Sequence, residues 1–198
     1  MATVNREQIL GAFERLVARH GLDRVTMKEL AREAGISVGS IYRHFESKDD
    51  LVLAVEEKWR NHVEIRTSAI VRGGASPEAK LHDIVVRHIE KLSALIRENR
   101  AVYELLMGAL RLRYTGRTLT DTRGEMFELM IAGSAEVLAE GVRRGEFDVE
   151  DAHGTARLFV EAFGEYFAPR RVMEREHAEV VRSAEGMFAL LMKSIRKA

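Results

Sequence analysis

At 198 residues the chain can form one medium domain, or a small domain joined to a larger one, with a core of ordinary size. Its 31 Lys and Arg balance 31 Asp and Glu, which argues against a blanket polyanion binder but allows a locally basic face. The absence of cysteine excludes a disulfide framework and any thiolate metal or redox site. The first residues lack the apolar centre of a signal peptide, and no apolar run approaches the roughly 20 residues that cross a bilayer. The expectation is a cytoplasmic protein with no membrane partner.

Two prolines, many Ala, Leu, Glu and Arg, and few clustered β-branched residues predict an all-α fold. The first helix is expected from Asn5 to His20, with Ile9, Leu10, Phe13, Leu16 and Val17 on one stripe and Gly21 as its stop. Thr26 and Glu29 form a capping box for a second helix ending near Gly35. Ser37 can cap a short third helix through His44, and Ser47 with Asp50 opens a fourth toward Ile70. Lengthening segments beyond this point divide the chain into 1–48 and 49–198. Ser76-Pro77 starts a helix reaching Asn99, followed by one from Val102 to Leu112 and a turn at Thr115-Gly116. A long helix from Leu119 to Arg144 ends at Gly145; Asp148 caps the next, which Pro169 terminates; the last runs from Glu174 to Arg196.

The stretch from Leu30 to Phe45 carries the functional signal. Two helices crossing steeply need a small residue at their contact, supplied by Ala31, and a left-handed residue in the tight connection, supplied by Gly35. Leu30, Ile36, Ile41 and Phe45 then fill a small core, leaving Val38, Gly39, Ser40, Tyr42, Arg43 and His44 exposed on the third helix. That face combines a methyl-contacting Val, hydroxyl and guanidinium donors for base edges, and Tyr and His that can reach phosphates. Thr26, Ser37 and the Ser47-Lys48 pair sit at helix N-termini, whose free amides favour phosphate. Residues 1–48 hold eight Lys or Arg against six Asp or Glu, so phosphate contacts here have to be positioned individually.

These residues resemble the DNA-binding domain of the TetR (TetR/AcrR) family of bacterial regulators. The likeness covers residues 5–59 and rests on Phe13, Thr26-x-x-Glu29-Leu30-Ala31-x-x-Ala34-Gly35-Ile36-Ser37-x-Gly39-x-Ile41-Tyr42-x-His44-Phe45 and Lys48-Asp49-x-Leu51. It implies an N-terminal three-helix helix-turn-helix domain followed by a larger helical domain for effector binding and dimerisation. It also implies that Val38, Gly39, Ser40 and Arg43 face bases or the groove floor, while Thr26, Ser37, Tyr42, His44 and Lys48 hold phosphates. The function it implies is a ligand-responsive transcriptional regulator, a repressor in the simplest case and an activator in the alternative. Such a protein binds a palindromic double-stranded operator and is released by a small molecule.

In the family, the last two long helices pair with their symmetry mates. Here Phe159, Phe163 and Phe167, with Ala184, Met187, Phe188 and Leu191, supply candidate interface knobs and gaps, although a core role predicts the same stripe. A homodimer is also expected because one recognition helix makes too few contacts for specific binding. For an effector pocket, the candidates are Trp59, His62, His88, Met107, Phe127 and Met130, whose Met and aromatic content points to an apolar or aromatic ligand. The fourth helix is the expected lever between reading head and pocket.

No nucleotide loop, His-Glu-x-x-His, nucleophile elbow or carboxylate-histidine cluster is present, so no catalytic residue, metal ligand or cofactor is assigned. A nonspecific architectural DNA binder fits poorly with the charge balance, because such affinity comes from phosphate neutralisation.

Overall fold

The computed structural model describes residues 5–114 and 122–197. Within them the chain forms ten α-helices and two short 3-10 turns: α1 Arg6–His20, a turn Leu22–Arg24, α2 Met27–Ala34, α3 Val38–Tyr42, α4 Lys48–Arg72, α5 Pro77–Glu98, α6 Arg100–Tyr114, α7 Thr122–Arg143, α8 Ala152–Glu161, a turn Gly164–Phe167, α9 Pro169–Met173 and α10 His177–Ile195. Among the described residues the one β-type contact is an isolated bridge between Phe147 and Arg196. The all-α expectation holds, and no described helix is long and apolar enough to cross a membrane. The expected turn at Thr115-Gly116 and helix start at Leu119 lie outside the described residues.

The helices pack into two compact units. The first holds α1 to α3, α4 as far as Trp59, and the chain from Leu95 through α6. Its core joins Ile9, Phe13, Leu30 and Ile41 to Leu51 and Val55 of α4 and Leu105 of α6. Sequence grouping alone placed a boundary at 48, but the apolar stripe of α4's first turns and the arrival of α6 on α1 extend this packing well past that point. Local caps start the helices, at α2 and α4 as expected and at α1 through a box that sequence reading did not name. Asn5 and Gln8 exchange bonds at α1, Thr26 and Glu29 do so at α2, and Ser47 and Asp50 pair at α4. Gly35, at φ +68°, supplies the left-handed residue that turns α2 toward α3.

The second unit holds Arg60–Ala94 and the chain from Thr122 onward. Its core is built on Leu81, Val85 and Ile89 of α5, Met130 and Ile131 of α7, and a phenylalanine cluster from the later helices. Phe159 stands edge-on to Phe188 with ring centroids 5.8 Å apart. Three boundaries differ from sequence expectation, the simplest being α10, which starts at His177 rather than Glu174. Asp151, not Asp148, caps α8 by accepting the His153 and Gly154 amides; Asp148 is instead drawn into backbone pairing, its N–H donating to the Ile195 carbonyl. Pro169 does not terminate that helix. α8 stops at Glu161, and Pro169 opens α9, where its missing N–H costs nothing.

Candidate functional site

The face expected to read DNA is built by α2 and α3. Ile41 and Phe45, both buried, anchor α3 to the first core, and the Ser37 hydroxyl caps it by accepting the Ser40 amide at 3.1 Å. Val38, Gly39, Tyr42, Arg43 and His44 are consequently exposed, with Tyr42 about half accessible at 51%. A Cβ built on Gly39 meets nothing closer than 3.9 Å, so the outward surface there is open. Ser40 is partly covered; its hydroxyl lies 2.9 Å from the Ser37 hydroxyl and accepts a 2.8 Å bond from the Arg43 guanidinium.

Two of the expected phosphate donors are committed inside the chain. The Thr26 hydroxyl donates to Glu29 at 2.9 Å and accepts the Glu29 amide. Those bonds from Thr26 hold the Glu29 carboxyl below its ordinary pKa. The Lys48 ammonium donates to the carbonyls of Leu22 at 3.1 Å and Asp23 at 3.4 Å, closing the turn that precedes α2. Glu104 of α6 accepts the Leu22 amide on the same turn and an Arg100 bond at 2.6 Å. Glu33 of α2 is paired with Arg15 and Arg19 of α1, which draws its carboxyl pKa down. The reading face is therefore carried on helices tied together by both apolar packing and charge.

The six effector candidates divide between the two units. Trp59 packs against the first core, and Met107 lines an open groove of about 440 Å³ with Leu22, Tyr103 and Gly108. His62 is exposed on α4. Met130 is fully buried in the second core. The remaining pair, His88 and Phe127, meet through one ring: Phe167 lies 5.7 Å from His88 and 5.4 Å from Phe127, centroid to centroid. His88 Nδ1 accepts a 3.2 Å bond from Arg66, whose guanidinium also donates to the Asp83 carbonyl at 2.9 Å. Burial and the neighbouring Arg66 push the His88 imidazole down to about 4, so it is neutral at physiological pH and its Nδ1 accepts from the guanidinium. Sequence reading missed Arg66, although it interrupts the stripe Val63, Thr67, Ile70 at helical spacing.

The dimer candidates lie largely within the chain's own core. Phe159, Phe163, Phe167, Ala184 and Phe188 are buried in the second unit, and Met187 and Leu191 pack partly buried against it. The exposed apolar groups on these helices are Leu158 at 71% and Leu190 at 63%, and Gly186 and Ala189 beside Leu190 are exposed as well. Leu158 immediately precedes the buried pair Phe159 and Val160, so the outward and inward sides of α8 are adjacent in sequence.

Residues 9–55 match the model of the bacterial regulatory proteins of the tetR family, and residues 77–188 match the tetracyclin repressor-like C-terminal domain. Over the reading head the chain is 48% identical to an uncharacterized HTH-type transcriptional regulator of Haemophilus influenzae, a stretch of 46 residues spanning 23% of this chain and only 25% of that protein. Over a longer stretch it is 27% identical to the HTH-type transcriptional repressor KstR2 of Rhodococcus jostii, covering 73% of this chain and 71% of the relative. It is likewise 25% identical to the fatty acid metabolism regulator protein of Bacillus subtilis, covering 70% and 69%. The structure resembles that of the Stenotrophomonas maltophilia repressor SmeT in complex with triclosan, with a TM-score of 0.73 at 20% identity, covering 100% of this chain and 93% of that one. With a family model matching each part, one of them over more than half the chain, the protein belongs to the TetR family of bacterial regulatory proteins and is a DNA-binding regulator of transcription.

Proposed function

We propose that the chain is a homodimeric repressor that binds a palindromic operator through α2 and α3 and is released from it by a small apolar or aromatic effector. The observation that carries this reading is the outward face of α3. Val38, Tyr42 and Arg43 are exposed around the bare backbone of Gly39, on a helix whose opposite side is locked into a core by Ile41 and Phe45. Repression is favoured because a protein seated on a promoter excludes polymerase without further machinery, and KstR2 is itself named a repressor.

On this reading Val38, Gly39, Ser40 and Arg43 meet the major groove, Tyr42, His44 and Ser37 approach phosphates, and Thr26 serves its own helix start through Glu29. Lys48 acts first on its own chain. Self-association uses the outward sides of α8 and α10, where Leu158, Gly186, Ala189 and Leu190 are exposed, while the phenylalanines behind them support those helices from within. The effector region is the His88, Phe127 and Phe167 cluster with Arg66. Support for a small-molecule effector comes from SmeT, which shares this fold and is complexed with triclosan. Release follows from linkage: an effector that prefers the form unable to hold DNA lowers operator affinity by its differential affinity for the two forms.

The test is transcription in vitro from a promoter overlapping a duplex selected by the protein from random DNA. Repression is expected, with two protomers bound per palindrome. Tyr42→Ala is expected to reduce operator affinity roughly 10-fold or more. Stimulation of transcription would establish the activator reading, and binding without sequence preference would refute the operator reading.

A further inference from the structure

Resting on the reading of α3 as the operator-contacting helix, we infer that Arg43 reads a guanine in each operator half-site and that Ser40 serves it by holding its guanidinium, without reading a base itself.

Ile41, fully buried, defines the inward side of α3. Successive helical residues turn by about 100°. Positions two before and two after Ile41 therefore lie on the far side, and these are Gly39 and Arg43, both exposed. The centre line of the outward face thus pairs a residue with no side chain and one with the longest donor-bearing side chain. Gly39 lets the backbone come close to whatever α3 enters, with no neighbouring group filling the space. Arg43 one turn later is the group that reaches furthest from that line.

Hydrogen bonding on this face divides the two polar residues into different roles. Ser40 lies beside the centre line and is partly covered. Its hydroxyl oxygen accepts from Arg43 Nη2 at 2.8 Å and shares a hydrogen bond with the Ser37 hydroxyl at 2.9 Å between oxygens, and its amide donates to the Ser37 oxygen at 3.1 Å. The Ser40 hydroxyl is thus engaged by two partners, Ser37 and Arg43, at the two caps of α3. Arg43 spends one N–H of Nη2 on this bond, which restrains a side chain that otherwise keeps several rotatable bonds free. Its second Nη2 N–H remains beside a parallel N–H on one neighbouring guanidinium nitrogen, Nη1 or Nε, as a two-donor edge. In the major groove a guanine edge offers two adjacent acceptors, O6 and N7, whereas adenine offers an acceptor beside a donor. A restrained two-donor fork therefore selects guanine, and among residues 38–44 Arg43 is the one side chain that presents such a fork.

The roles are separable by selecting duplexes from random DNA with wild type, Arg43→Ala, Ser40→Ala and the double variant, then measuring affinities for the wild-type consensus and for single base-pair replacements. Circular dichroism confirms that each variant is folded. The wild-type consensus is expected to hold one G·C pair per half-site whose replacement costs roughly 10- to 100-fold. Arg43→Ala should become indifferent to that pair while keeping the rest of the consensus. Ser40→Ala should relax the same pair by a few fold, and add nothing further in the Arg43→Ala background. If Arg43→Ala selects an unchanged consensus, or the pair it relaxes is not G·C, the inference is overturned while the operator reading stands. If Ser40→Ala relaxes a different pair, Ser40 is itself a base reader and its assigned role is overturned. A wild type that selects no consensus refutes the operator reading, and the inference with it.

Discussion

Lys48 shows how a side chain with an evident use can be spent elsewhere. Sequence spacing places it beside a helix start, where a cation suits phosphate, but its ammonium closes the Leu22 to Asp23 turn. Lys48→Met is expected to destabilise the fold by about 1 kcal/mol through loss of charge-assisted hydrogen bonds, measured by urea unfolding. The salt dependence of operator binding should stay unchanged, whereas loss of a phosphate contact would lower its log-log slope by about 1. His88 makes a second prediction. Its folded pKa, about 4, lies below the ordinary 6.5, so the unfolded state binds the extra proton first. Its contribution to stability is complete above pH 6.5 and is lost progressively as pH falls through that value toward 4. Thermal melts should show this acid limb, and His88→Gln should flatten it in the window between pH 6.5 and 4.5. An unaltered limb would show that another group carries it.

At the scale of elements, close approaches between neighbours matter as much as the helices themselves. Gly141 near the end of α7 lies against the Phe147 ring, where an added Cβ would sit 2.1 Å from a ring carbon. That ring is buried, and the segment behind it is tied down by the bridge from Phe147 to Arg196. Gly141→Ala gains up to about 1 kcal/mol of helix propensity but overpacks the contact. The expected net outcome is a loss of about 2 kcal/mol in chemical unfolding, which a Phe147→Leu partner substitution should partly restore. The buried Lys80 of α5, paired with Glu140 of α7 at 2.7 Å, is a comparable tie between these helices, and with Arg144 it holds the Glu140 carboxyl below its ordinary pKa.

For the whole molecule, the decisive question is which apolar groups remain exposed once the chain has satisfied its own core. Leu158 and Leu190 do, and the phenylalanines behind them do not. Wild-type protein is expected to sediment as a dimer, and Leu158→Glu with Leu190→Glu as a monomer. Operator affinity should fall at least 10-fold because the two half-sites are no longer held by one particle. A doubly substituted protein that remained dimeric would place the interface elsewhere.

The sequence by itself determined what depends on near neighbours along the chain. Caps at Thr26, Ser37 and Ser47, the left-handed Gly35, and the spacing from Leu30 to Phe45 each act over a few residues, so the helix-turn-helix and its exposed face were legible in advance. The tertiary structure decided what depends on contacts between distant segments. It grouped α6 and the first turns of α4 with the reading head, joined Arg66 to His88 across 22 positions, and left Leu158 outside while burying Phe159. An apolar stripe specifies that one side of a helix will be covered, but the same stripe serves a core or an interface equally well. Only the packing of the other helices determines which side is already occupied and which is left for a partner.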